Sequence, residues 1–324
     1  MRKSAFYFSL AVTTACFGAL LYAPAAALGG AKAGLAVCAG TIIPALLPFL
    51  VLSGLVTALG LPQLLARYLS PLMRTLFGVS GAAAAPLLLG LTGGYPVGAA
   101  ATAALVQRGE LSPEEGERLL PLCNNTGPAF IVGAAGSGIF GSTRIGLLLY
   151  LSHVLAALAV GVLFSFGHRA PKALLTPPPI GAVRFADAFT GAVKGAVTAA
   201  LNICGFVVLF STLRGLLDAL GVFSGTAGWL AANLHLELQF VRALLTGILE
   251  LGGGIAAMQG MPPAPGNLAL ASFILGFGSL SVHCQTLAAV AGAELKTARH
   301  FAGRLLHGAV SALLTFLIFT LLQI

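Results

Sequence analysis

The sequence predicts an all-α, polytopic membrane protein made of two repeats with discontinuous helices. Three observations carry that expectation. The chain of 324 residues is 58% hydrophobic and 8% charged, with a mean hydropathy of +0.98, whereas a soluble globular chain carries about 25% charge. Apolar runs at residues 5–27, 36–60, 143–166, 195–211 and 299–323 each approach the roughly 20 residues that span a bilayer as a helix. Two more apolar runs are interrupted by glycine at matching places. One reads Leu-Thr-Gly-Gly-Tyr-Pro-Val-Gly at residues 91–98, the other Leu-Glu-Leu-Gly-Gly-Gly-Ile at residues 249–255. Hydrocarbon cannot satisfy the backbone groups that such breaks release, so they persist where backbone lines a cavity. Paired breaks in two halves point to a transporter's central site.

Residues 1–30 are expected to form an N-terminal transmembrane helix. Arg2 and Lys3 precede an apolar core running from Ala5 to about Tyr22. That core is longer than the roughly 7–15 residues of a signal peptide. The two charges put the N-terminus on the cytoplasmic side. A first repeat covers residues 31–167, a polar linker residues 168–184 with Pro171 and prolines at 177–179, and a second repeat residues 185–324. Each repeat opens with a long apolar helix, followed by a shorter amphipathic stretch: residues 61–77 in one, 213–238 in the other. Then comes the glycine break, 44 residues after Phe49 in the first repeat and 46 after Phe206 in the second. A second broken segment follows, residues 127–133 against residues 271–276, and an uninterrupted helix closes each half. The repeats are inverted if each crosses the membrane an odd number of times.

The net charge of +8 is spread over the polar gaps: Arg67 and Arg74; Arg108 and Arg118; Arg169, Lys172 and Arg184; Lys296, Arg299 and Arg304. This is the distribution of lipid-headgroup contacts and topology signals, not of a nucleic-acid stripe. The five cysteines, Cys16, Cys38, Cys123, Cys204 and Cys284, lie in apolar sequence without a C-x-x-C pair. They read as small hydrophobes rather than as disulfides or metal ligands. No phosphate loop, dinucleotide fingerprint, H-E-x-x-H or G-x-S-x-G occurs, and the six histidines are dispersed. The expectation is therefore no enzyme, no cofactor, no metal site and no nucleic-acid partner. The expected partners are membrane lipid and a small-molecule solute, with a coupling proton or Na⁺. A homo-oligomer stays open.

The acidic stretch at 110–117 contains Ser112-Pro113-Glu114-Glu115. Ser as N-cap, Pro at the first helical position and acids in the first turn predict a short extramembrane helix over 113–122. It leads into Cys123-Asn124-Asn125-Thr126-Gly127-Pro128. Pro128 suits a first turn, which places Asn124, Asn125, Thr126 and Gly127 at a helix N-terminus, where free N–H groups attract anions. Asn amides donate and accept, so they serve either as solute ligands or as plain caps. Gly93, Gly94 and Pro96 permit close backbone approach. Tyr95 offers a ring and a hydroxyl, or acts as an interfacial anchor. Gly253 is the corresponding approach point in the second half. Glu250 in an apolar run is a functional candidate by its cost alone: it takes a coupling proton, ligates Na⁺ or pairs with Arg242. Ser279, Ser281, His283 and Gln285 share one face if that stretch is extended. Solute recognition is expected mainly in the first half and coupling at Glu250 in the second.

The motifs Gly94-Tyr95-Pro96-Val97-Gly98-Ala99, Cys123-Asn124-Asn125-Thr126-Gly127-Pro128-Ala129-Phe130 and Gly278-Ser279-Leu280-Ser281-Val282-His283 occur in order. Across essentially the whole chain the sequence resembles the YlbJ/SpoVV-type sporulation membrane proteins, which carry nucleoside-recognition (Gate) repeats. The resemblance implies a fold like that of concentrative nucleoside transporters, with inverted repeats and re-entrant helices. It also implies movement of dipicolinic acid across the outer forespore membrane. A nucleoside or other polar solute, or a non-transporting scaffold role, are the alternatives.

Overall fold

The computed structural model describes residues 3–168 and 183–322. Arg2, Arg169, Lys172 and the prolines of the expected linker lie outside the described residues. Among the described residues every ordered element is helical. A chain this poor in charge and rich in Ala, Leu and Gly enters lipid only with its backbone bonds closed internally, which the α-helix does.

The first half runs α1 (Lys3–Tyr22), α2 (Pro24–Val37), a π-helical turn (Cys38–Ile42), α3 (Ile43–Ala58) and α4 (Leu61–Phe77). It continues through α5 (Ala84–Gly93), α6 (Val97–Gln107), α7 (Pro113–Cys123), a π-helical segment (Ala129–Ile139) and α8 (Thr143–Ser165). The second half runs α9 (Phe185–Ala219), α10 (Val222–Leu234), α11 (Leu238–Leu249), α12 (Leu251–Ala256), α13 (Pro265–Phe277), α14 (Leu280–Val290) and α15 (Ala298–Leu322). Five stretches are long and apolar enough to cross a membrane: Pro24–Ile42, Thr143–Ser165, Phe185–Ala219, Pro265–Val290 and Ala298–Leu322. A sixth arises if the pair Tyr68–Phe77 and Gly81–Gly93, bent by 98°, is one span.

The boundaries differ from the expectation where proline or a tight turn intervenes. Pro24 starts α2 inside the expected first segment, because proline fits a first helical turn. The apolar run at 36–60 is divided between the end of α2, the π-helical turn and α3. The stretch at 213–238 is not one element: α9 ends at Ala219, and Gly221, with φ of 72°, turns the chain into α10. Residues 271–276, expected to match 127–133, lie inside α13 ahead of a break at Gly278 and Ser279.

The helix expected over 113–122 forms with its full capping box. Ser112 Oγ accepts from Glu115 N at 3.2 Å, and Glu115 Oε2 accepts from Ser112 N at 3.0 Å. Its second half is packed inside the protein, however. Leu119, Leu120, Leu122 and Cys123 are buried, and α7 descends from a polar start to the centre of the protein. Arg118 on its flank is buried and donates to Gly78 O at 3.2 Å rather than meeting lipid headgroups.

Glycine sets how closely these helices pack, as in membrane bundles generally. α2 and α3 lie along α9, and α15 lies against α13 and α8. A Cβ on Gly276 of α13 would fall 2.7 Å from Gly308 Cα of α15. A Cβ on Gly90 or Gly98 would fall 1.5 or 1.9 Å from the Cys123 carbonyl oxygen. α5 and α6 therefore clasp the end of α7 between two glycines. Gly90→Ala or Gly98→Ala is expected to cost about 3 kcal/mol through overpacking and to lower the melting temperature of detergent-purified protein. Gly191→Ala, where a Cβ meets nothing within 4 Å, is expected to leave it unchanged.

Candidate functional site

Four helix breaks meet at the centre of the protein, and each has a local cause. At the first, Gly94 adopts φ 78° and ψ −166°, a conformation that a side chain would strain. A Cβ there would also meet Gly127 N at 2.8 Å, so the first break rests directly on the second. The second break is the run at residues 124–128, between the buried end of α7 and the π-helical segment. The third falls at Glu250 itself, not at the glycines that follow it. Glu250 is extended, and its carboxylate caps α12 by accepting from Gly252 N at 2.8 Å and from Gly253 N. Gly252, Gly253 and Gly254 are helical, and Gly254 permits close packing on Gly247. The fourth break is Gly278-Ser279, both with positive φ, where Ser279 Oγ accepts from Val282 N at 3.3 Å.

The first three breaks, together with Val282 and Gln285 of α14, line a cavity; the fourth lies against its Tyr95 wall, where a Cβ on Gly278 would meet Tyr95 Oη at 2.8 Å. The cavity's polar lining comes from Gly94, Tyr95, Thr126, Gly127, Glu250 and Gln285, with Gly252 beside Glu250. Ile42, Leu46, Ile203 and Val207 close the apolar side. Six of the expected site residues thus share one chamber. Gly93, Pro96, Asn124, Asn125, Gly253, Ser279, Ser281 and His283 do not line it.

Gly93 ends α5 and Pro96 caps α6. Asn125 and Thr126 brace the two halves of the chain. Asn125 Nδ2 donates to Leu122 O at 2.8 Å, and Thr126 Oγ1 to Leu275 O at 2.9 Å. Asn124 Nδ2 donates to Thr286 Oγ1 at 2.7 Å, while its Oδ1 is buried with no protein partner. Ser279, Ser281, His283 and Gln285 do not form an extended face, because α14 is helical from Leu280. Helical geometry disperses them. Gln285 reaches the cavity, with Nε2 on Ser281 Oγ at 3.4 Å, and His283 turns to His300, with Nδ1 3.3 Å from its Nε2.

Behind the cavity wall stands Arg304, which sequence reasoning grouped with the lipid-facing basic residues. It is fully buried. Nη2 donates to Tyr95 Oη and to Gly276 O, and Nη1 donates to Asn125 Oδ1 at 3.3 Å and to His307 Nδ1 at 2.7 Å. The guanidinium also lies 5.3 Å from the centre of the Tyr95 ring, a cation–π distance. Tyr95 is consequently an internal strut and not an interfacial anchor. Because Arg304 can only donate, His307 Nδ1 accepts, and its Nε2 donates to His153 O at 3.0 Å. His153 Nε2 in turn accepts from Thr126 N at 3.2 Å.

A signal for these residues was present. His300, Arg304, His307, Ser311 and Thr315 recur at helical spacing and are all buried on one stripe of α15. Such a polar stripe in an apolar span faces protein, not lipid.

Charge pairing at the site is sparse. Among the described residues the ion pairs are Arg108–Glu110 at 2.6 Å and Arg184–Asp187 at 4.0 Å. Glu250 therefore does not pair with Arg242, and Arg304 has no carboxylate. Among the described residues no three His, Cys, Asp or Glu side chains gather as a metal site. Of the cysteines, all free, Cys38, Cys123 and Cys204 are buried, Cys284 is half-buried and Cys16 is exposed.

Known proteins resemble this chain in sequence and in structure. Residues 39–171 match the Gate family model, described as nucleoside recognition. The chain is 32% identical over 321 residues to the sporulation integral membrane protein YlbJ of Bacillus subtilis (strain 168), covering 91% of this chain and 78% of that protein. A solved structure of a CNTnw variant in an outward-facing state aligns with a TM-score of 0.45 and 13% identity, over 98% of this chain and 86% of the other. The chain is an integral membrane protein and belongs to the family of the sporulation integral membrane protein YlbJ.

Proposed function

We propose that this chain is a secondary transporter, and that its central cavity binds a small anionic aromatic solute. The observation that carries the reading is the meeting of three helix breaks at one cavity, with a fourth behind its Tyr95 wall, in a chain with several helices long and apolar enough to span a membrane. Interrupted helices at membrane depth are costly unless backbone and polar groups serve a solute pathway. The order of elements supports two repeats: residues 24–58 match the 35-residue α9 in length, and α8 and α15 close the two halves.

Dipicolinate is the best specific solute. It is a flat aromatic dianion, and the cavity offers the Tyr95 ring for stacking with Thr126 and Gln285 as hydrogen-bonding groups. Family membership supports a sporulation setting, and the outer forespore membrane is the corresponding location. A nucleoside is the second reading, favoured by the nucleoside-recognition model over residues 39–171. Its ring also stacks on Tyr95. Glu250 takes the coupling role, since it is buried, faces the cavity and has no basic partner within ion-pair distance among the described residues. A proton or Na⁺ neutralises it there.

Purified protein in proteoliposomes is expected to accumulate labelled dipicolinate under a proton or Na⁺ gradient. Accumulation of a nucleoside instead selects the second reading, and failure to move either compound would sink the transport assignment. Gln285→Ala is expected to reduce kcat/KM for uptake about tenfold, the effect of one lost hydrogen bond to a charged group, with unchanged membrane insertion. Glu250→Gln is expected to abolish gradient-driven accumulation while leaving downhill exchange measurable. Accumulation at the wild-type level by that variant would remove Glu250 from the coupling step.

A further inference from the structure

Arg304 is a positive charge buried on a helix long and apolar enough to span a membrane, and all of its hydrogen-bond partners among the described residues are neutral. They are the Tyr95 hydroxyl, the Gly276 carbonyl, the Asn125 amide oxygen and the His307 imidazole. Its Nε is buried without a hydrogen-bond partner among the described residues. An arginine kept only to join helices is normally neutralised, because an unpaired buried charge is expensive in a medium that water does not reach. The carboxylate nearest in function, Glu250, is committed to two backbone N–H groups and makes no ion pair with Arg304.

One of the four partners also faces the cavity. Tyr95 lines it; Gly276, Asn125 and His307 do not. The Tyr95 side chain is therefore the element that stands between the guanidinium and a solute. Its hydroxyl is a weak, neutral substitute for what a guanidinium binds best, a carboxylate engaged by two parallel N–H groups.

We propose that Arg304 is the specificity-determining residue of the cavity: a carboxylate of the solute replaces the Tyr95 hydroxyl on its guanidinium. This rests on the transport reading above and deepens it. Tyr95, released from Arg304, keeps its ring against the solute and can donate its hydroxyl to the same carboxylate. The exchange is a displacement of hydrogen bonds, with no covalent step. It couples solute binding to the contact between Tyr95 of the first half and α15 of the second, so the bound anion loosens one brace between them.

Equilibrium binding to detergent-purified protein tests this with two probes of one shape, pyridine-2,6-dicarboxylate and the neutral pyridine-2,6-dicarboxamide. The wild type is expected to prefer the dicarboxylate. Arg304→Gln is expected to weaken dicarboxylate binding about 10- to 100-fold, the range for a lost hydrogen bond between charged groups, and to change dicarboxamide binding less than threefold. Arg304→Lys, which keeps the charge but not the fork, is expected to fall between them. Equal loss of both probes marks a merely structural arginine and overturns the proposal. So does a wild type that binds the diamide as tightly as the dianion, a comparison that needs no folded variant. Nucleoside uptake unimpaired in Arg304→Gln would leave the transport reading intact and remove this one. A wild type that moves no solute at all would remove both.

Discussion

A guanidinium buried among helices has to be surrounded by acceptors, and Arg304 draws them from both halves of the chain. Tyr95 and Asn125 come from the two breaks of the first half, Gly276 and His307 from α13 and α15 of the second. Breaking up such a set typically costs about 3–5 kcal/mol, because the remaining charge stays buried. The breaks must therefore lie where Arg304 can reach them. That requirement explains why Gly94 lies on Gly127 and why α13 approaches α15 through Gly276 and Gly308.

The backbone freed at the breaks is satisfied by the same elements. Thr126 N goes to His153, the Leu275 carbonyl accepts from Thr126, and the Glu250 carboxylate closes the first turn of α12. Thus the polar groups that look like solute ligands in the sequence are largely spent on holding the breaks open. What remains for a solute is a smaller set: the Tyr95 ring, the Thr126 hydroxyl oxygen as acceptor, Gln285, backbone at Gly94 and Gly127, and a carboxylate on the wall. Under the proposed function, specificity in a chamber with so few free groups is governed by charge, and its two charges differ in access. Glu250 is on the wall, whereas Arg304 is behind it.

Much of the architecture was legible in the residues. Composition alone determined a helical membrane protein, and Ser112 to Glu115 determined the start of α7 through rules that act within one turn. Gly94 and the run at 124–128 marked true breaks. The glycine cluster at 252–254 misled by two residues, because glycine also serves helix packing: Gly254 is there for Gly247, and the extended residue is Glu250. Tyr95, Thr126, Glu250 and Gln285 stood out by residue type beside the breaks, and only the structure shows that all four line one cavity.

The sequence by itself determined membrane class, most of the helical elements and two of the four places where the chain stops being helical, since these depend on hydropathy, caps and proline within a few residues. Only the tertiary structure decided what the polar groups do. The stripe from His300 to Thr315 is visible as a periodicity, but periodicity gives a face and not its partner. Arg304 near a helix start has the same sequence signature whether it snorkels to headgroups or turns inward. The choice is made by glycines 28 and more residues away, which let α13 and the two breaks close around it. Burial then converts an ordinary surface charge into the centre of a network, because only there does its hydrogen bonding escape competition from water.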